Sequence, residues 1–161
     1  MMCRRLAFSL IEIMIVIMLL AILSAIVIPR LVTAQDDARE SAIDTDIQMM
    51  RRQIMVYMAQ HTGKGPHLDE AGNVDKANLS ARLTGRTNPA GKIIASGSCG
   101  PYMKLWPTNP FITSQAAAGE VVFGTDTTPP RDNTTGWYYN IDTCVISANS
   151  TTGGKELDPE E

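Results

Sequence analysis

Phe8-Ser9-Leu10-Ile11-Glu12-Ile13-Met14-Ile15-Val16-Ile17-Met18-Leu19-Leu20-Ala21-Ile22-Leu23-Ser24-Ala25-Ile26-Val27-Ile28 is the stretch on which the fold of this chain turns. Eighteen of its 21 residues are apolar, and neither Gly nor Pro interrupts it before Pro29. As a helix rising 1.5 Å per residue it covers roughly 31 Å, about the thickness of a bilayer's hydrocarbon core. One membrane span is therefore predicted. Arg4 and Arg5 precede it, and the next cation is Arg30. Early positive charges favour a cytoplasmic N-terminus with the body on the far side.

The rest of the chain is polar and rich in turn formers. Its 161 residues, 44% hydrophobic and 19% charged with 12 Gly and 9 Pro, suit one globular domain behind the span. This composition excludes a disordered tail, a collagen-like repeat and a multi-span transporter. The net charge of −3 argues against a nucleic-acid partner, which calls for a basic face. The sequence has no Ser-His-Asp order, no Cys-rich cluster, no phosphate-cradling glycine loop and no convincing acid pair. No catalytic residue and no required cofactor are expected.

Glu12 is the anomaly. An acidic side chain inside such a run costs up to about 3 kcal/mol near a helix centre and less near its end. No Lys, Arg or His lies between it and Arg30, and Arg4 and Arg5 snorkel toward headgroups. Its partner must come from another molecule or from a charge made by cutting the chain. A competing reading is a cleavable signal peptide ending at Val32-Thr33-Ala34, which would release a soluble exported protein beginning at Gln35. The apolar run exceeds the usual 7–15 residues of such a peptide, and Glu12 does not belong in one.

Arg4-Arg5-Leu6-Ala7-Phe8-Ser9-Leu10-Ile11-Glu12 resembles the class III signal of type IV prepilins and pseudopilins, with Ala7 where Gly is usual and Ser9 where Thr is commoner. The resemblance implies an α+β pilin-like fold, a long N-terminal helix packed on a small C-terminal antiparallel sheet. It implies a prepilin peptidase that cuts between Ala7 and Phe8 and N-methylates Phe8. The freed amine of one subunit then meets Glu12 of a neighbour. Two unit charges about 4 Å apart attract by roughly 4 kcal/mol at an effective dielectric of 20, before desolvation. Such a pair sets register more than it adds net stability. The implied partners are further copies of the chain in a homopolymeric filament, minor pseudopilins, an assembly platform and membrane lipid. The implied location is the bacterial inner membrane, with the globular part and the filament in the periplasm.

The divisions expected are a leader, residues 1–7; a span, 8–28; an amphipathic half-helix, 29–60; and a globular part, 61–161. Pro29 removes a backbone donor and is expected to kink the helix. Beyond it Ile43, Ile47, Met50, Ile54 and Tyr57 recur at helical spacing on one face. His61-Thr62-Gly63-Lys64-Gly65-Pro66 carries the breakers that end the helix, and His61 and His67 are expected to be solvated loop residues.

Residues 67–98 match nothing recognisable apart from one short helix, capped by Asp75, with Leu79 and Leu83 on a face and Gly85 after its last turn. Gly100-Pro101-Tyr102 through Asn109-Pro110 is too Pro-rich for a central strand. It resembles a segment of the major pseudopilins of type II secretion systems, as does Gly136-Trp137-Tyr138-Tyr139-Asn140. Strands are predicted at 121–123, 136–140 and 144–147, the last two around a hairpin turn. With Cys3 lost in the leader, the mature chain keeps Cys99 and Cys144, either a disulfide in an oxidising compartment or two separate buried thiols. Major pseudopilins bind calcium in a loop before the last hairpin. The matching segment, Thr125–Thr135, offers Asp126 and Asp132, though Arg131 lies between them and the same composition suits a plain surface loop. The function implied is a structural subunit of a type II secretion-like pseudopilus. The alternative within the family is a type IV pilin for adhesion, motility or DNA uptake.

Overall fold

The computed structural model describes residues 9–154. Helix α1 runs over Leu10–Gln60, α2 over Leu79–Thr84, and three short strands follow: β1 Val121–Gly124, β2 Trp137–Asn140 and β3 Ile146–Ala148. This is the expected α+β arrangement of a long N-terminal helix and a small C-terminal sheet. The chain divides into two compact units after Ala38.

In the first unit the backbone is helical from Leu10 onward, and every side chain from Ser9 to Ile28 and from Arg30 to Ala38 is exposed. In the second unit the helical face foreseen from spacing is the core. Ile43, Ile47 and Met50 are fully buried, and Ile54 and Tyr57 are 1% exposed. They pack with Leu79, Leu83, Met103, Trp137, Tyr139, Ile146 and Ala148. Each such side chain contributes about 1.5–3 kcal/mol by leaving water.

The sheet corrects one expectation. Only β2 and β3 are antiparallel, with Trp137 opposite Ala148 and Tyr139 opposite Ile146. Strand β1 pairs parallel to β2, Val121 beside Trp137 and Gly124 beside Asn140, so the sheet is mixed. The cause is the connection Thr125–Gly136. A tight hairpin would reverse the chain, whereas parallel neighbours need a crossover of about a dozen residues, and this loop supplies one. Asn140 fastens the C-terminal end of β2 to the loop that leaves β1 and to the turn that follows. Its side-chain amide donates to the carbonyls of Thr125 and Asp126, and its Oδ1 accepts from the backbone of Asp142 and Thr143 at the hairpin turn.

The short helix appears where expected, with Leu79 and Leu83 buried. Asp75, however, makes no capping bond to the backbone, its carboxylate accepting instead from Asn78 Nδ2 at 2.9 Å and from Arg82 Nη2 at 2.6 Å. Gly85 follows the last turn in extended rather than left-handed backbone. Its lack of a side chain serves close approach, since a Cβ there would meet the Ala81 carbonyl at 2.7 Å.

Candidate assembly segment

The first turn of α1 is opened by the Ser9 carbonyl, which accepts from Glu12 N–H at 3.1 Å and Ile13 N–H at 3.3 Å. Glu12 thus sits at the positive end of the helix dipole, a placement that favours its carboxylate by about 0.3–1 kcal/mol. Its surroundings are otherwise apolar. Leu10, Ile11, Ile13, Met14, Ile15 and Val16 all stand exposed, from 46% for Val16 to 78% for Leu10. Ser24 shows how a polar group is reconciled with such a run, its hydroxyl donating back to the Leu20 carbonyl at 2.8 Å. Glu12 has no comparable arrangement: among the described residues no hydrogen bond or ion pair holds its carboxylate.

The helix is continuous through position 29, where Pro has no N–H for the carbonyl of Ala25. A cut after Ala34 would fall inside this element. Ala7 and Phe8, the expected processing and methylation positions, lie outside the described residues, as does the leader. The helix is long and apolar enough to cross a membrane.

The other predicted site residues stand apart from this segment. Cys99 and Cys144 are both free thiols, so the bridge expected between them is not formed. Each is engaged in its own neighbourhood. Cys144 Sγ lies 4.0 Å from His67 Nδ1, and Cys99 sits in a bridge to Thr87, its N–H and carbonyl both paired with that residue's backbone. His61 and His67, expected in solvent, are buried at 0% and 5% exposure. The carbonyl of Tyr57 accepts from His61 Nδ1 at 2.7 Å, leaving Nε2 to take the Thr87 hydroxyl at 2.9 Å, while the ring stacks on Tyr57 at 3.8 Å. His67 Nδ1 is bonded to the Tyr139 hydroxyl at 3.1 Å. Burial, with Arg82 nearby, pushes the His67 pKa below its usual value, while Asp142 opposes the shift.

Two of the oxygens in the segment expected to take calcium are engaged within the chain. Asp132 Oδ1 already accepts from the Thr134 hydroxyl at 2.7 Å, the Thr134 N–H at 3.0 Å and Asn149 Nδ2 at 2.7 Å. Those bonds, the Thr134 hydroxyl foremost, hold its carboxyl below the usual range. The Asp126 carbonyl accepts from the Tyr138 hydroxyl at 2.8 Å and from Asn140 Nδ2 at 2.9 Å. Asp132 Oδ1 and the Asp126 carbonyl are thus turned toward N–H and O–H donors. No group of three His, Cys, Asp or Glu residues able to hold a metal occurs among the described residues.

Sequence reasoning missed the device that organises residues 66–91. The Arg82 guanidinium, 4% exposed, donates to the carbonyls of Gly91, Pro66 and Asp75 and pairs with the Asp75 carboxylate. The signal was present in its position beside Leu83 on the buried face of α2, where a charge must be paired.

The chain carries the N-terminal signal of type IV pilins and pseudopilins: residues 2–28 match the family model of the prokaryotic N-terminal methylation motif. No curated protein and no solved structure matches the chain.

Proposed function

We propose that this chain, which bears a pilin-type methylation signal, is a pseudopilin: a non-enzymatic structural subunit of a type II secretion-like filament drawn from the inner membrane into the periplasm. The observation that carries this reading is the first stretch of α1, apolar on every side, exposed throughout, and holding one carboxylate in its opening turn. A helix apolar all round is covered on all sides in its working state, by lipid or by other helices. A filament of such helices in which each new α-amine meets a neighbour's Glu12 satisfies both requirements. Before assembly, lipid surrounds the segment. Afterward, copies of the same segment do.

Processing then follows the motif. Prepilin peptidase cuts after Ala7 and methylates Phe8, leaving a cation at the new N-terminus with Glu12 the fifth residue of the processed chain. Minor pseudopilins and an assembly platform order the subunits, and growth of the filament moves folded cargo outward. The placement among secretion subunits, rather than type IV pili, is supported by the Gly100-Pro101-Tyr102 and Gly136–Asn140 segments. Both are built into the globular unit. Leu83 O accepts from the N–H groups of Tyr102 and Met103 at 3.0 Å each, and Trp137 through Asn140 form the central strand.

Mass spectrometry of the mature protein isolated from membranes tests the reading. An N-terminal methyl-Phe8 is expected. A chain beginning at Gln35 would refute membrane assembly outright. Deletion of the gene is expected to stop export of a folded protein, and loss of surface pili with export intact would move the chain to the type IV pilins.

A further inference from the structure

The Thr125–Thr135 loop is joined to residues 149–154 through Arg131. Arg131 occupies left-handed backbone at φ 54°, a conformation that disfavours a non-glycine residue and persists only where contacts enforce it. Its N–H donates to Asn149 Oδ1 at 2.9 Å. Its guanidinium reaches three backbone carbonyls, Nη1 donating to Ser150 at 2.9 Å and Gly153 at 3.3 Å, and Nη2 donating to Gly154 at 3.4 Å. Carbonyls curled around a single positive charge are the coordination pattern of a hard cation. Here the charge belongs to the chain.

The surrounding groups complete the closure. Asn149 is fully buried and gives its side-chain amide to Asp132 Oδ1 at 2.7 Å and Thr135 Oγ1 at 3.1 Å. Asn133, also left-handed at φ 59°, accepts the Thr151 N–H at 2.8 Å and donates back to the Thr151 hydroxyl at 3.1 Å. Beyond them Gly153 and Gly154 are buried and left-handed, at φ 78° and 70°. Both lie against α1. A Cβ on Gly154 would meet Ile47 Cδ1 at 2.8 Å, and one on Gly153 would meet Phe111 and, at 3.3 Å, Ile43. Ile43 and Ile47 open the buried stretch of α1.

We infer that Arg131 is a built-in cation: it closes the loop and clamps residues 149–154 over Ile43 and Ile47, so that this latch needs no bound calcium. The inference concerns the second unit alone and stands apart from the secretion reading. It accounts for the position of Arg131 between two acids, where it disrupts a metal site and supplies the charge instead. A rigid planar fork, whose donors are spread over several nitrogens, suits this task better than a lysine ammonium, whose three donors share one nitrogen.

Thermal unfolding of the full chain in detergent, followed by near-ultraviolet circular dichroism, is compared in millimolar calcium chloride and in excess EDTA. The expected melting temperatures coincide, and a calcium-induced rise of several degrees overturns the inference. Arg131→Met is expected to melt about 5 °C lower in both media, with faster amide exchange at Thr151–Gly154. Unchanged melting and exchange in that variant overturn the latch. Should Arg131→Met fail to fold, Arg131→Lys is measured by the same exchange: faster exchange than wild type at those amides upholds the fork, and equal exchange overturns it.

Discussion

Ile17 and Ile47 are the same residue in the same helix, yet Ile17 is 58% exposed and Ile47 is fully buried. The difference lies in what surrounds each along the chain. Around Ile47 the apolar positions form one stripe, with Asp46, Gln48 and Arg52 turned elsewhere, and the chain's own sheet covers that stripe. Around Ile17 every face is apolar, so no single sheet would suffice. The second stretch is finished by folding. On the reading proposed above the first is finished by lipid or by other subunits, and Glu12 is the acidic group in it that would tell these two environments apart.

The largest effect expected from this contrast is on assembly. Glu12→Ala should leave cleavage before Phe8 intact while reducing filament yield by about tenfold or more, since even 1.4 kcal/mol net from the amine–carboxylate pair corresponds to a factor of ten. Shearing and immunoblotting of filament fractions measures this, and undiminished yield would remove Glu12 from the mechanism. Next in size is a pair of truncations. Ile47→Ala should cost the globular unit about 2–5 kcal/mol in urea unfolding, through lost burial and a residual cavity. Ile17→Ala should change the same transition by no more than about 0.5 kcal/mol. Equal losses would mean that the first stretch of α1 is not waiting for outside partners.

How far the sequence foretold this division depends on how local each cause is. Helical spacing exposed the face Ile43, Ile47, Met50, Ile54 and Tyr57 because that pattern needs no knowledge of what it packs against. The same spacing, continued four residues beyond Tyr57, reaches His61, and its burial was legible there; the breakers that follow drew the reading toward a loop instead. His67 was not legible in this way. Its burial depends on Tyr139, brought beside it by the tertiary fold. The parallel pairing of β1 was hidden for a similar reason, because three short apolar runs carry no direction. Around the Thr125–Thr135 loop, the resemblance to major pseudopilins suggested a calcium site, whereas the contacts the loop makes turn on Asn149 and Ser150 just past β3, whose positions only the register of the sheet fixes. The methylation motif itself was legible, since its basic residues, Phe8, Glu12 and the apolar run are consecutive, and residues 2–28 match the family model. What made that motif transparent is that it is written along the chain rather than assembled across it.

The smallest effect separates the two regions by acidity. His67 is the buried base whose pKa is lowered in the fold, chiefly by loss of water and then by Arg82, with Tyr139 and Cys144 against its ring and Asp142 opposing. The unfolded chain therefore takes up a proton at this position more readily than the folded one. Stability from the neutral ring is complete above the ordinary histidine value of about 6.5 and declines as pH falls from there toward the lower folded value, by at most about 1.4 kcal/mol per pH unit. Asp69, Asp75 and Asp132 have lowered values, Asp69 and Asp75 through bonds to Asn73 and Asn78 and Asp132 through Thr134, so their losses begin only below about pH 4. On acidification the histidine decline therefore begins first. Urea unfolding of the full chain in detergent between pH 7 and pH 5 should show the decline, and His67→Gln should flatten it. A slope that survives in His67→Gln would assign the acid sensitivity to another group in the core. The apolar stretch of α1 holds no histidine, so the helicity it contributes in detergent should stay level across the same interval.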